Sequence, residues 1–320
     1  MKRRTLVLAA LAAPAVARAQ GNYPSRPIRL IIPYPPAGGT DAISREVGNR
    51  MTMLAGWTVV AENRPGAGGN IGLDLVAKSD PDGYTIAMGQ TSNLAINPSL
   101  YPRMPFDPLK DLAPITTIAQ QPNLLLVRRD APWRDLAALV ADAKARPDAL
   151  TCGHSGAGTT GHLSGELFNR QAGIEVVVVP YVGAGPVMTD LLGGRIDMFF
   201  ANPLAARGVL ESGEVRALAV TSTARSRSFP DVPTVAELSF PGYEAVNWTG
   251  VVAPARTPAP IIARLNEVLR QILQQPAVVS RLSAEGSEPM GSTPEEFATF
   301  MRAENRKWGD VVRSARIQVN

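Results

Sequence analysis

The chain has 320 residues, 45% hydrophobic and 19% charged, with 28 glycines and 28 prolines. That is length enough for one or two cores, too apolar for a disordered chain and too rich in turn residues for a coiled coil. One cysteine excludes an internal disulfide framework or a thiolate-built zinc site, and two histidines leave little room for imidazole catalysis.

Residues 1–20 read as a secretory signal. Lys2-Arg3-Arg4 precedes an apolar run over 6–17, and Ala17-Arg18-Ala19 supplies a small-x-small cleavage site, which places the cut after Ala19. The run is well short of the ~20 residues that span a bilayer. The Arg3-Arg4 pair fits twin-arginine export as well as the ordinary Sec route. No cysteine follows the cut, so no lipid anchor is expected. The formal charge of +4 belongs to this segment: losing Lys2, Arg3, Arg4 and Arg18 leaves 28 basic against 28 acidic residues. A neutral product has no basic surface for nucleic acid, and none is expected as a partner.

Apolar runs of strand length then alternate with segments of helical period. Strands are predicted over 28–32, 58–61 and 84–88. Helices fall between them, the first with Ile43, Val47, Met51 and Leu54 on one face. This βαβαβ rhythm argues for a parallel sheet covered on both sides. After an irregular middle the rhythm resumes, with strands over 124–127, 150–152, 176–179, 196–200 and 217–221. Helices are predicted over 133–145, around Leu163, Leu167 and Phe168, and from Gly183-Ala184-Gly185-Pro186. Two further helices close the chain. One carries the amphipathic set from Ile261 to Leu273, and the other starts at the capping-box sequence Thr293-Pro294-Glu295-Glu296.

In each half a strand runs into a Gly-rich, hydroxyl-bearing loop that opens a helix: residues 33–41, with Gly38-Gly39-Thr40, and residues 153–162, with Ser155, Gly156, Gly158, Thr159 and Thr160. Such loops aim backbone N–H groups at a ligand, and the helix dipole favours negative charge there. Neither loop holds Lys or Arg, so an anion would rest on N–H groups, hydroxyls and water, which suits a carboxylate. Closing a βα turn is the plainer role for either loop alone. Asp41 complements its helix dipole or meets ligand, Trp248 packs in a core or hinge rather than stacking on ligand, and Asn202 either faces a cleft or fixes its own turn.

Three enzyme motifs are weaker. Gly156-Ala157-Gly158-Thr159-Thr160-Gly161 has the dinucleotide-binding spacing, with Glu175 downstream, but sits mid-chain in an exported protein. Gly153-His154-Ser155-Gly156-Ala157 approaches a nucleophile elbow, yet no histidine follows His162. Cys152, His154 and His162 match no metal-site spacing. No catalytic residue, metal or cofactor is assigned.

The ordered motifs resemble a known family. They are YPSRPIRLIIPYPPAGGTD (23–41), ENRPGAGGNIG (62–72), PDGYT (81–85), INPSLY (96–101), GAGTTGHLSGELF (156–168), VPYVGAGPVMTDLLGGRID (179–197), VRALAVTSTARSRSFPDVPTVAE (215–237) and WTGVVAPARTP (248–258). Together they resemble the solute receptors of tripartite tricarboxylate transporters, the Bug family of periplasmic binding proteins. The resemblance implies a non-enzymatic α/β receptor of the two-domain Venus-flytrap kind, type II-like, each domain a small mainly parallel sheet flanked by helices. It places domain 1 at 20–123 and 246–320 and domain 2 at 124–245. The implied ligand contacts are Tyr34, Ala37, Gly38, Gly39 and Asp41 from the first domain, and Ser155, Gly158, Thr159, Thr160 and His162 from the second. Thr91, Ser92, Ala201 and Asn202 are expected to line the cleft beside them. The expected function is capture of a small carboxylate, mono- or dicarboxylate for want of loop cations, by a periplasmic monomer that delivers it to membrane transporter subunits. A ligand sensor docking on a signalling receptor is the alternative.

Overall fold

The computed structural model describes residues 23–319; the signal sequence and its cleavage site lie outside the described residues. The apolar run Ile28–Ile32 forms β1, with Ile28, Leu30, Ile31 and Ile32 wholly buried, as expected of a strand covered on both faces. It pairs in parallel with β2 (Val59–Asn63) and β3 (Thr85–Gln90). Two long strands, β4 (Leu112–Pro122) and β10 (Val246–Pro254), extend this sheet antiparallel, and β11 (Glu288–Pro289) edges it. The order is β11-β4-β10-β3-β1-β2.

The second sheet has the order β7-β6-β8-β5-β9. Its strands are β5 (Leu124–Arg128), β6 (Thr151–His154), β7 (Val177–Pro180), β8 (Met198–Ala201) and β9 (Val215–Val220). Here β6 is parallel to β7 and β8, whereas β5 is antiparallel to β8 and β9. The expected parallel units are therefore present in both lobes, but both sheets are mixed: β4, which falls in the expected irregular middle, and β10 add antiparallel pairs to the first, and β5 adds them to the second.

Among the described residues, ten helices flank the sheets: α1 (Gly39–Ala55), α2 (Asn70–Ala77), α3 (Asn97–Leu100), α4 (Leu136–Ala145), α5 (Thr160–Ala172), α6 (Ala184–Leu192), α7 (Pro203–Glu211), α8 (Ala259–Leu273), α9 (Pro276–Ala284) and α10 (Pro294–Ser314). On α1, Ile43, Val47 and Met51 are buried, and Leu54 at its end is exposed. α4 starts at Leu136 rather than Trp133 because the Asp135 side chain accepts the Ala138 N–H and sets the first turn there. The capping box is present at α10: Glu296 N–H donates to Thr293 Oγ1 (3.2 Å), and Thr293 N–H donates to Glu296 Oε2 (2.8 Å). On α8 a row including Leu265, Val268, Leu269 and Ile272 is buried against the first sheet, each side chain contributing up to about 1.5–3 kcal/mol.

Only Asn123 separates β4 of the first sheet from β5 of the second, and the return passage runs between β9 and β10. Thr221, fully buried, clasps the two strand-to-strand passages: its hydroxyl accepts Asn123 N–H (2.7 Å) and donates to Ala245 O (2.8 Å). Trp248 on β10 is also fully buried, edge-on to Phe297 and Phe300. Its indole N–H donates to Glu304, which also accepts the Trp308 N–H and pairs with Lys307. Trp248 is thus hinge packing, not a ligand platform.

Candidate ligand-binding cleft

Both Gly-rich loops lie at the C-terminal ends of their strands, where open α/β folds bind ligands. The cleft between the sheets has two chambers sharing a wall of Gln121, Asn202 and Asn247. The first, about 340 Å³, is lined by Ser155, Gly158, Thr159 and Thr160 of the second loop. Facing them are Tyr34, Ser92, Gln90, Asn97, Leu100 and Tyr101 of the first lobe. The second chamber, about 430 Å³, is lined by Ala37, Gly38, Gly39 and Thr40. Its far side is closed by the ion pair of Arg281 and Glu285 (3.1 Å) from α9 and the turn after it. A larger hollow of about 700 Å³ between α4, α5 and the end of α10 touches neither loop and is a charged surface recess.

Among the described residues, no charged side chain lines the first chamber. Its polarity comes from amides and hydroxyls, and from the starts of helices. No side chain caps α1, whose N-cap is Gly38, and among the described residues the Gly39 and Thr40 N–H groups find no acceptor. α5 is capped by Thr159, whose hydroxyl accepts the His162 N–H (3.3 Å); the N–H groups of Ala157, Thr160 and Gly161 find no acceptor among the described residues. Unpartnered N–H groups at two helix starts suit an oxyanion, the nearby carboxylates of Asp41 and Glu285 being already paired with Arg45 and Arg281.

Tyr34 organises the first-lobe wall. Its hydroxyl meets Ser92 Oγ at 2.6 Å and accepts from Asn93 Nδ2 at 3.0 Å. Burial, against hydrogen bonds from Ser92 and Gln90, pushes its phenol up to about 12, so it remains a neutral donor. Ser92 opens a π turn, Ser92–Ile96, a local irregularity common at functional sites.

Four residues expected at the cleft line neither chamber. Asp41 is 5% exposed and its oxygens are taken: they accept Ala37 N–H, Asn63 Nδ2 and Arg45 Nε. Burial opposes its ionisation, but Arg45, Asn63 and Ala37 outweigh it and hold the carboxyl below its ordinary range. Asp41 therefore fixes the loop, including Ala37 in its left-handed turn, and its charge disfavours direct contact with an anion. Thr91 is wholly buried and its hydroxyl accepts the Trp248 N–H (2.7 Å), tying β3 to β10. Ala201 is covered at the end of β8. His162 is 7% exposed behind its loop. Asn202 serves both alternatives, lining both chambers while its Oδ1 caps α7 by accepting Ala205 N–H (2.9 Å).

Sequence reasoning missed Gln90, Asn97, Gln121, Asn123 and Asn247, which the fold brings to the first chamber. Asn123 is the first passage between sheets, Gln121 lies just before it and Asn247 just after the second, so a signal lay in the boundary positions themselves. Cys152 is buried and its thiol is pushed up to about 12, chiefly by burial, so it is inert. Among the described residues no group of three His, Cys, Asp or Glu is placed to hold a metal, and no helix is long and apolar enough to cross a membrane.

Two hinge-linked α/β lobes around a neutral, amide-lined cleft define a solute-binding protein of the periplasmic type. Residues 43–317 match the tripartite tricarboxylate transporter family receptor, and the chain belongs to that family of receptors; the solved structure of the periplasmic binding protein BugD is 31% identical with a TM-score of 0.73, covering 93% of this chain and 100% of that one. BugT of Bordetella pertussis is 39% identical over 309 residues, 96% of this chain and 94% of that protein. The solved structure of Rhodopseudomonas palustris Rpa4515 with adipate is 37% identical with a TM-score of 0.77, covering 93% of this chain and 100% of that one. MatC from the same organism, with bound malate, is 32% identical with a TM-score of 0.73, covering 91% and 100%.

Proposed function

We propose that this protein is an exported receptor that captures a small mono- or dicarboxylate between its lobes and delivers it to transporter subunits in the membrane. The observation that carries this reading is the cleft itself: unpartnered N–H groups at the starts of α1 and α5 meet chambers in which, among the described residues, the lining cation Arg281 is already paired with Glu285. A carboxylate gains hydrogen bonds there without a buried counter-charge, whereas a tricarboxylate would need more donors than the neutral walls supply. Relatives solved with adipate and malate support the same class. The lobes of this reading are residues 20–123 with 246–320, and residues 124–245. The ligand contacts are Tyr34, Ser92, Asn202 and the loops at 37–40 and 155–160. Cleavage after Ala19, by Sec or twin-arginine export, yields a periplasmic monomer.

A thermal-shift screen of ligand-stripped mature protein against adipate, malate, related mono- and dicarboxylates and their amides tests it. A ligand at 100 times its Kd adds about 2.7 kcal/mol, which raises Tm by roughly several degrees. One responding class of carboxylate is the expected result; response to the amides alone overturns it. Gly39→Leu is the site control. Among the described residues nothing outside its own helix and chain neighbours lies within 4 Å of a Cβ at Gly39, so the variant is expected to fold, with its side chain filling the second chamber and removing the response.

A further inference from the structure

The two histidines of the chain sit face to face behind the second loop. His154 ends β6 and His162 lies in the first turn of α5. Their rings stack at 3.9 Å and 10°, and both residues are buried. Each Nδ1 accepts a loop N–H: His154 from Gly156 (3.2 Å), and His162 from Gly158 (3.3 Å). A ring nitrogen accepts only when unprotonated, so a neutral imidazole in this arrangement carries its proton on Nε2. His162 Nε2 lies 3.6 Å from Glu166 Oε1, on the side where an N–H is favoured. Two imidazolium ions could not share this stack without strong repulsion. Burial, and then the neighbouring His162, push His154 down to about 4, in keeping with the accepting role of its Nδ1.

The loop between the rings is also tied through its carbonyls, Ser155 O accepting Gly183 N–H (3.1 Å) and Gly156 O accepting both the Thr159 N–H (3.3 Å) and the Thr159 hydroxyl (2.8 Å). Among the described residues, however, the imidazoles are what its Gly156 and Gly158 amides donate to. Gly156 and Gly158 have φ of 148° and 74°, values that favour glycine, and neither N–H belongs to a strand ladder or a helix. The imidazoles take these two N–H groups out of competition and leave Ala157, Thr160 and Gly161 with free ones. We propose that His154 and His162 are positioning residues of the ligand loop: as Nε2–H imidazoles they hold the Gly156 and Gly158 amides inward, so that the amides of Ala157, Thr160 and Gly161 are those offered to a carboxylate. The last clause rests on the function proposed above; the tautomer and its hold on the loop do not.

Long-range ¹H–¹⁵N NMR of the ligand-free mature protein at neutral pH tests the tautomers directly. Both rings are expected as Nε2–H forms with accepting Nδ1 atoms; a proton on either Nδ1 overturns the proposal. Amide exchange then tests the hold. His162→Phe removes the acceptor, while His162→Asn places a carbonyl oxygen near the position of Nδ1. Exchange at Gly158 should quicken by about five- to tenfold in the Phe variant and stay near wild type in the Asn variant. Equal rates in all three proteins overturn it. Adipate titrations of the same proteins separate the two readings. Wild-type binding that weakens with Phe and returns with Asn supports both, and binding untouched by either variant sinks the positioning role. If the wild type binds no member of the carboxylate panel, the functional reading fails, and the NMR results still decide the fate of the histidines.

Discussion

Thr221 shows how much one hydroxyl can hold at a passage between lobes. Its oxygen bridges Asn123 N–H and Ala245 O with no access to water. Thr221→Val keeps the shape and strands both backbone groups, so stability should fall by about 2–4 kcal/mol in urea unfolding, with Thr221→Ser recovering most of it. At His154 the sign of a pH effect can be worked out. An unfolded imidazole takes its proton near 6.5, but the folded one resists to about 4, so between those values the unfolded state binds more protons. This contribution to stability is complete above pH 6.5 and is lost as pH falls toward 4. The acid limb of the wild-type stability curve should therefore be steeper than that of His154→Phe, and identical limbs would refute the assignment. The same scale marks where sequence reading stopped. Gly38, Gly39, Gly158 and the hydroxyls beside them were legible because tight turns and helix starts restrict residue type. Gln90, Asn97, Gln121 and Asn247 were not, because a neutral amide carries no spacing pattern and acquires its role when distant segments meet.

Among elements, the βα units were legible within two or three residues, since a strand buried on both faces must be continuously apolar. The strands β4 and β10 were not. They reach from the buried first sheet out to the passage between lobes, so Thr, Gln and Pro interrupt their apolar pattern. Their pairing brings one exacting contact. A Cβ on Gly250 of β10 would sit 2.3 Å from the Phe297 ring and 3.1 Å from Thr116 O, so the backbone of β10 lies directly under α10. Gly250→Ala forces Phe297, itself edge-on to Trp248, out of its place. A loss of about 1–3 kcal/mol is expected by chemical denaturation. Combining it with Phe297→Leu should recover part of that loss, because the two changes share one cause; strict additivity would argue against this account.

At the level of the whole molecule, the lobes touch on both sides of the cleft. On one side Gly286 lies against Pro203, and Glu288 Oε1 accepts the Arg227 N–H (3.1 Å). On the other, Gly158 faces Leu100 so closely that a Cβ would stand 2.2 Å from its Cδ2. Gly158 thus answers to two demands: a left-handed turn that shapes the ligand loop, and a bare surface that lets α3 of the opposite lobe approach. A side chain there acts as a wedge between lobes, and the displacement it forces is expected to be taken up at the two strand-to-strand passages. Gly158→Val should then fold, with a stability cost of about 1–2 kcal/mol from the strained turn, but hold the lobes apart. Small-angle scattering should give it a larger radius of gyration than wild type. Adding a carboxylate that contracts the wild type should leave the variant unchanged. Leu100→Ala in the same chain removes the opposing methyl groups and should restore part of the contraction. If Gly158→Val contracts as the wild type does, the approach of Leu100 to this loop is not what limits closure.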